Sequence, residues 1–105
     1  MIPIANPIIS DQEKEKVLEV MDSGMLACGQ YVTEFEDKFS NFIGTEYGIA
    51  TSSGTTALEV ALKAADIKEG DEVLTTPFTF IASSNAMRYC DAIPGFADVN
   101  EESFN

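Results

Sequence analysis

Between Ile49 and Ala65 the sequence reads IATSSGTTALEVALKAA. A short apolar run meets a turn of Ser, Gly and Thr, and the turn opens directly into a helix rich in Ala and Leu. The pattern continues downstream. YGIATS reads as a short strand and GTTALEVALKAADI as a helix; EGDEV turns into a second strand, EVLTTP. FTFIASSNAMRYC begins as a loop and goes on as a helix, and AIPGFADV is a third strand. The order β-α-β-α-β with short connections predicts parallel strands joined by crossover helices, an α/β fold. Short-range logic alone would make the three strands neighbours.

Two helices precede this unit. In SDQEKEKVLEVMDSG, Ser10 is a cap with Glu13 three residues later, and Gly24 is a stop. Val17, Leu18 and Met21 form its apolar stripe. MLACGQ reads as a loop, and YVTEFEDKFSNFIG as a second amphipathic helix that Gly44 ends. Val32, Phe35, Phe39 and Phe42 recur at helical spacing and read as core or interface packing. The expected division is a helical segment over 1–45 and a β-α-β-α-β segment over 46–105.

Composition narrows the function classes. The formal charge is −12, from 18 acidic and 6 basic residues, with the acids dispersed. That describes a self-repelling surface and argues against nucleic acid, whose phosphates demand clustered Lys and Arg. Only Lys14 and Lys16 lie close together, and acids flank them. Cys28 and Cys90 form no CxxC pair and there is no histidine, so zinc, iron–sulfur and haem sites are not expected. A Ser-His-Asp or Cys-His mechanism is excluded within these residues. No apolar run reaches the ~18 residues of a membrane span. MIPIANPIIS lacks the basic head and cleavage site of a signal peptide, so a cytoplasmic location is expected.

The Ser53–Thr56 turn is suited to an anion. A helix start leaves backbone N–H groups without partners, and the helix dipole adds positive charge there. Gly54 lets backbone approach a ligand, while Ser53, Thr55 and Thr56 offer hydroxyls. The turn is neither a Walker A loop nor GxGxxG, so a small phosphate suits it better than a triphosphate or a dinucleotide. The alternative is plain: Ser and Thr are ordinary caps, and Gly is ordinary at a tight turn. LTTPFTFIASSNA shifts the balance. It follows a strand, so it lies on the same carboxyl edge of the sheet, where ligands of open α/β folds bind. Phe78 and Phe80 stand among hydroxyl residues there, and a flat ring could stack on one of them. Pyridoxal 5'-phosphate (PLP) and FMN both fit that description.

SSGTTALEVAL, KEGDEVLTTPFTFIASSNA and AIPGFADVN closely resemble the N-terminal part of the DegT/StrS family of PLP-dependent sugar-nucleotide aminotransferases. SGMLACGQYVTEFEDKFSNFIG resembles the same family's opening, so the resemblance covers essentially the whole sequence. It implies the N-terminal part of an aspartate-aminotransferase-like large domain, a mostly parallel sheet flanked by helices and preceded by two helices. It implies cofactor-binding roles for Gly54 and Thr55 at the phosphate and for Phe80 on the pyridine ring, with Ser53 in the same motif. Phe78 is expected to pack, the Gly70–Val73 turn to be structural, and Asp98 to cap rather than face the site. In that fold the first strand lies across the sheet from the other two.

The resemblance implies PLP as cofactor, a nucleotide-linked keto sugar and an amino donor such as glutamate as partners, and a homodimer. The setting would be polysaccharide or antibiotic-sugar biosynthesis. None of Lys14, Lys16, Lys38, Lys63 or Lys68 matches the family's Schiff-base lysine, so no catalytic residue and no metal ligand is expected here. The sequence reads as an N-terminal segment of a longer enzyme. The rival readings are a PLP-dependent sugar dehydratase of the same family, a non-catalytic truncated phosphate-binding or interaction module, and an FMN-binding domain.

Overall fold

The computed structural model describes residues 2, 3 and 5–104, and their contacts divide the chain into two compact units between Ile49 and Ala50. In the first unit, α1 spans Asp11–Ser23 and α2 spans Gln30–Ile43. Ser10 and Glu13 form the expected capping box, and Gly24 closes α1 in the left-handed conformation, with φ 70°. Gly44 closes α2 likewise, its N–H donating to the Ser40 carbonyl at 2.8 Å. One polar cluster joins the two helices. The Tyr31 hydroxyl donates to the Glu19 carboxylate at 2.8 Å, which also accepts from Lys16 Nζ at 2.7 Å. The Lys16 ammonium lies 5.6 Å from the centroid of the Tyr31 ring.

The apolar stripes of this unit are not core within the chain. Val17, Leu18 and Met21 are exposed, as are Phe35, Phe39 and Phe42, the last by 86%. An amphipathic face buries only against another surface, and here Phe35 and Phe39 meet each other, with ring centroids 5.7 Å apart.

In the second unit, α3 (Gly54–Ala64) is followed by β1 (Glu72–Thr75), α4 (Ala82–Tyr89) and β2 (Ile93–Phe96). The strands pair in parallel from Glu72↔Ile93 to Thr75↔Phe96, with α4 as the crossover. α4 packs on both strands and on α3. Ala82, Ala86 and Cys90 recur at a spacing of four, so they fall on one face, and all three are buried with Met87 and Ala92. Cys90 Sγ lies 3.9 Å from the Glu59 carbonyl of α3. Both cysteines are free.

The Lys68–Asp71 turn feeds β1. Asp71 N–H donates to the Lys68 carbonyl at 3.1 Å, and Gly70 takes φ 88°, which only glycine adopts at no steric cost. Ile93 and Ala97 donate to carbonyls of Asp71 and Thr75 at 2.8 and 2.9 Å. By alternation Pro94, which has no N–H, falls on the other edge of β2.

One expected strand is absent. Residues 47–52 take no strand conformation, and the sheet among the described residues has two strands. A strand exists through its ladder, and this run joins none. Thr51 Oγ1 instead donates to the Ser53 carbonyl at 3.0 Å, a local bond that competes with extension. The parallel pairing of the other two strands is as expected. No helix among the described residues is long and apolar enough to cross a membrane.

Candidate functional site

The starts of α3 and α4 line one hollow of about 850 Å³. Ser53, Gly54 and Thr55 contribute from α3, and Phe80, Ala82 and Ser83 from the entry to α4; Ala57, Leu58 and Ala61 add apolar wall. All four sequence-predicted residues, Ser53, Gly54, Thr55 and Phe80, are therefore brought together.

The chemistry of the α3 start follows from its cap. Ser53 is extended, and its Oγ accepts the Thr56 N–H at 3.2 Å while Thr56 Oγ1 accepts the Ser53 N–H at 3.0 Å. This reciprocal pair uses Ser53 and Thr56 to begin the helix. The N–H groups of Gly54 and Thr55 and the Thr55 hydroxyl have no hydrogen-bond partner among the described residues. A Cβ placed on Gly54 would meet nothing within 4 Å, so the backbone is open on that side. Two unpaired donors and a hydroxyl belong to residues that line the same hollow, at the positive end of the helix dipole, an arrangement that suits a phosphate.

Phe80 is 77% exposed on the wall of this hollow, a flat apolar face available to a ring. Phe78 is not on the wall; its ring packs against Phe104. Asp98 follows β2, is exposed and lies away from the hollow. It makes no hydrogen bond among the described residues, so the expected capping role is not seen. No lysine lines the hollow. Lys63 stands in the last turn of α3, where the Glu59 carboxylate, 2.6 Å away, raises its pKa. The lining residues carry no titratable side chain, so pH dependence of binding there would come from the ligand.

Ser83 is the polar lining residue that sequence reasoning does not single out. Its hydroxyl lies 3.2 Å from that of Thr79, and its N–H donates to the Phe80 carbonyl at 3.1 Å. The signal was the hydroxyl run of FTFIASSNA. Nothing local says that α4 starts beside α3. A second hollow, of about 510 Å³, lies around the α1–α2 loop and is lined mainly by apolar residues such as Met25, Leu26 and Val32. It includes the start of α2, but a Cβ placed on Gly29 there would meet the Met25 side chain at 3.1 Å, whereas Gly54 is open, and the chemistry favours the hollow at α3.

A family model, the DegT/DnrJ/EryC1/StrS aminotransferase family, matches residues 7–105. The chain belongs to this family. Among its relatives, the spore coat polysaccharide biosynthesis protein SpsC of Bacillus subtilis is 40% identical over 99% of this chain and 27% of its own length. The GDP-perosamine synthase of Caulobacter vibrioides is 40% identical over 99% of this chain and 28% of its own. The chain thus spans about a quarter of the length of these members. The solved aminotransferase of Psychrobacter cryohalolentis superposes with a TM-score of 0.83 at 40% identity, covering 94% of this chain and 26% of that one. The GDP-4-keto-6-deoxy-D-mannose-3-dehydratase of E. coli, solved with bound hydrated PLP, superposes at 0.86 and 26% identity, covering 98% and 28%. The chain therefore has part of the fold of the PLP-dependent aminotransferases.

Proposed function

We propose that this chain forms the phosphate side and one stacking face of the cofactor site in a PLP-dependent aminotransferase that aminates a nucleotide-linked keto sugar. The convergence of Ser53, Gly54, Thr55 and Phe80 on one hollow is the observation that carries the reading. When bound, PLP supplies the electron sink and the amino-group carrier. The residues of this chain bind and orient it. Gly54 and Thr55 N–H groups and the Thr55 hydroxyl would hold the phosphate, Ser53 would preorganise them by capping α3, and Phe80 would cover one face of the ring. The catalytic lysine is not supplied by these residues, and the chemistry itself belongs to the rest of a longer, cytoplasmic, homodimeric enzyme that uses glutamate as donor. Polysaccharide biosynthesis is the proposed setting, in keeping with the SpsC relative.

A dehydratase is the second reading, favoured by the likeness to the E. coli dehydratase. Both would use the same cradle, so the products separate them. The test starts from the natural protein that carries this sequence. Its intact mass should exceed 11.4 kDa several-fold. It should retain PLP and form an amino sugar and 2-oxoglutarate from glutamate and a nucleotide-linked keto sugar. Phe80→Ala should weaken PLP retention on dialysis. Loss of water from the sugar without its amination would establish the dehydratase. A mass of 11.4 kDa would refute the enzyme reading and leave a phosphate-binding module.

A further inference from the structure

In the second unit one aromatic contact belongs neither to the buried core nor to the hollow. The rings of Phe78 and Phe104 lie with centroids 5.7 Å apart and planes tilted by 39°. Phe104 is delivered there by a turn that Asn100 builds. Asn100 Oδ1 accepts the N–H groups of Glu102 and Ser103 at 2.9 and 3.0 Å, and the Phe104 N–H donates to the Asn100 carbonyl at 2.8 Å. The turn holds Phe104 at φ 56°, a left-handed conformation that a bulky residue keeps only when its surroundings enforce it. Yet Phe104 is 60% and Phe78 70% exposed, so burial does not account for the arrangement.

What the contact does is restrain Phe78, which sits two positions before Phe80 in a segment, 76–81, without helix or strand. The Phe78 N–H donates to Thr76 Oγ1 at 3.1 Å, and the Thr79 and Ser83 hydroxyls meet at 3.2 Å. These bonds, with the Ser83 N–H donated to the Phe80 carbonyl at 3.1 Å, hold the backbone at Phe78 and Phe80 and the Thr79 hydroxyl; the ring contact is what restrains the Phe78 side chain.

We propose that Phe104 is a positioning residue: by clamping Phe78 it holds the 76–81 segment so that the Phe80 ring stays on the wall of the hollow, poised against a flat phosphorylated ligand. The inference rests on the reading that the hollow takes PLP. It acts through Phe80, so its energetic effect must vanish when Phe80 is removed.

The experiment is a double-mutant cycle on the natural protein, stripped of cofactor and titrated with PLP. Dissociation constant and induced circular dichroism of the bound PLP are both read. Phe104→Ala should raise Kd about five-fold, the scale of one aromatic pair, and weaken the induced signal at saturation. Phe104→Tyr, which keeps the ring, should restore both. On a Phe80→Ala background, Phe104→Ala should add less than about two-fold. If Phe104→Ala does not fold, Phe104→Leu takes its place in the cycle. An undiminished five-fold effect without Phe80, or an unchanged Kd and spectrum in folded Phe104→Ala, overturns the inference. If the parent binds no PLP, the reading of the hollow fails and this one with it. If the parent binds PLP and Phe80→Ala weakens it while Phe104→Ala is silent, the clamp alone fails.

Discussion

Replacing Gly54 by Ala should move stability and binding in opposite directions. Gly54 is the first residue of α3, and its φ is not among the positive ones. A Cβ there meets nothing within 4 Å of this chain. Without ligand, the substitution therefore removes unfolded-state freedom at no steric cost, which stabilises by about 0.4–1 kcal/mol. A phosphate held closely against the Gly54 backbone, as the proposed site requires, would meet that methyl group. Forcing a methyl into a filled contact costs about 1–3 kcal/mol, which corresponds to roughly 5- to 150-fold in affinity. The assay is paired: urea unfolding of the cofactor-free natural protein, and PLP titration of the same preparation. A lower unfolding midpoint would show that the space is not open. An unchanged Kd for PLP would show that the phosphate does not approach Gly54, and the assignment of the α3 start would fall.

Two further outcomes are expected. Ser53→Ala removes the acceptor of the Thr56 N–H, so cofactor-free stability should fall by about 1 kcal/mol in urea unfolding, and an unchanged midpoint would mean that Thr56 caps α3 alone. The Ser10 N–H, with help from the Ser10 hydroxyl, holds the Glu13 carboxyl below its ordinary 4.5, so the capping box stabilises α1 above the ordinary carboxylate range and is lost as pH falls through the lowered value. An NMR titration in which Glu13 protonates at or above the ordinary value would contradict the box.

Much of the local structure was legible because its causes lie within four residues. Ser10 with Glu13, Gly24 and Gly44 mark the helix ends that the structure has. The Ser53–Thr56 turn reads as a cap and as an anion cradle, and the structure separates the two: Ser53 and Thr56 serve the cap, Gly54 and Thr55 remain open. The apolar stripes were legible as stripes, but their burial was not. Phe42 is a regular member of its stripe and is 86% exposed, because burial depends on what else is present to cover it.

The residue pattern by itself determined where helices begin and end, which turn needs glycine, and which backbone donors a helix start would leave free. These are set by bonds between residues three or four apart and by φ, which neighbouring side chains control. Only the tertiary structure decided that residues 47–52 form no strand, since a strand needs a ladder partner that no local pattern supplies. It also decided that Phe80 and Ser83 share a hollow with Gly54 and that Phe78 answers to Phe104. Those are distances between segments remote in sequence, set by how closely the alanines of α4 let α3 approach and by where the Asn100 turn delivers its ring.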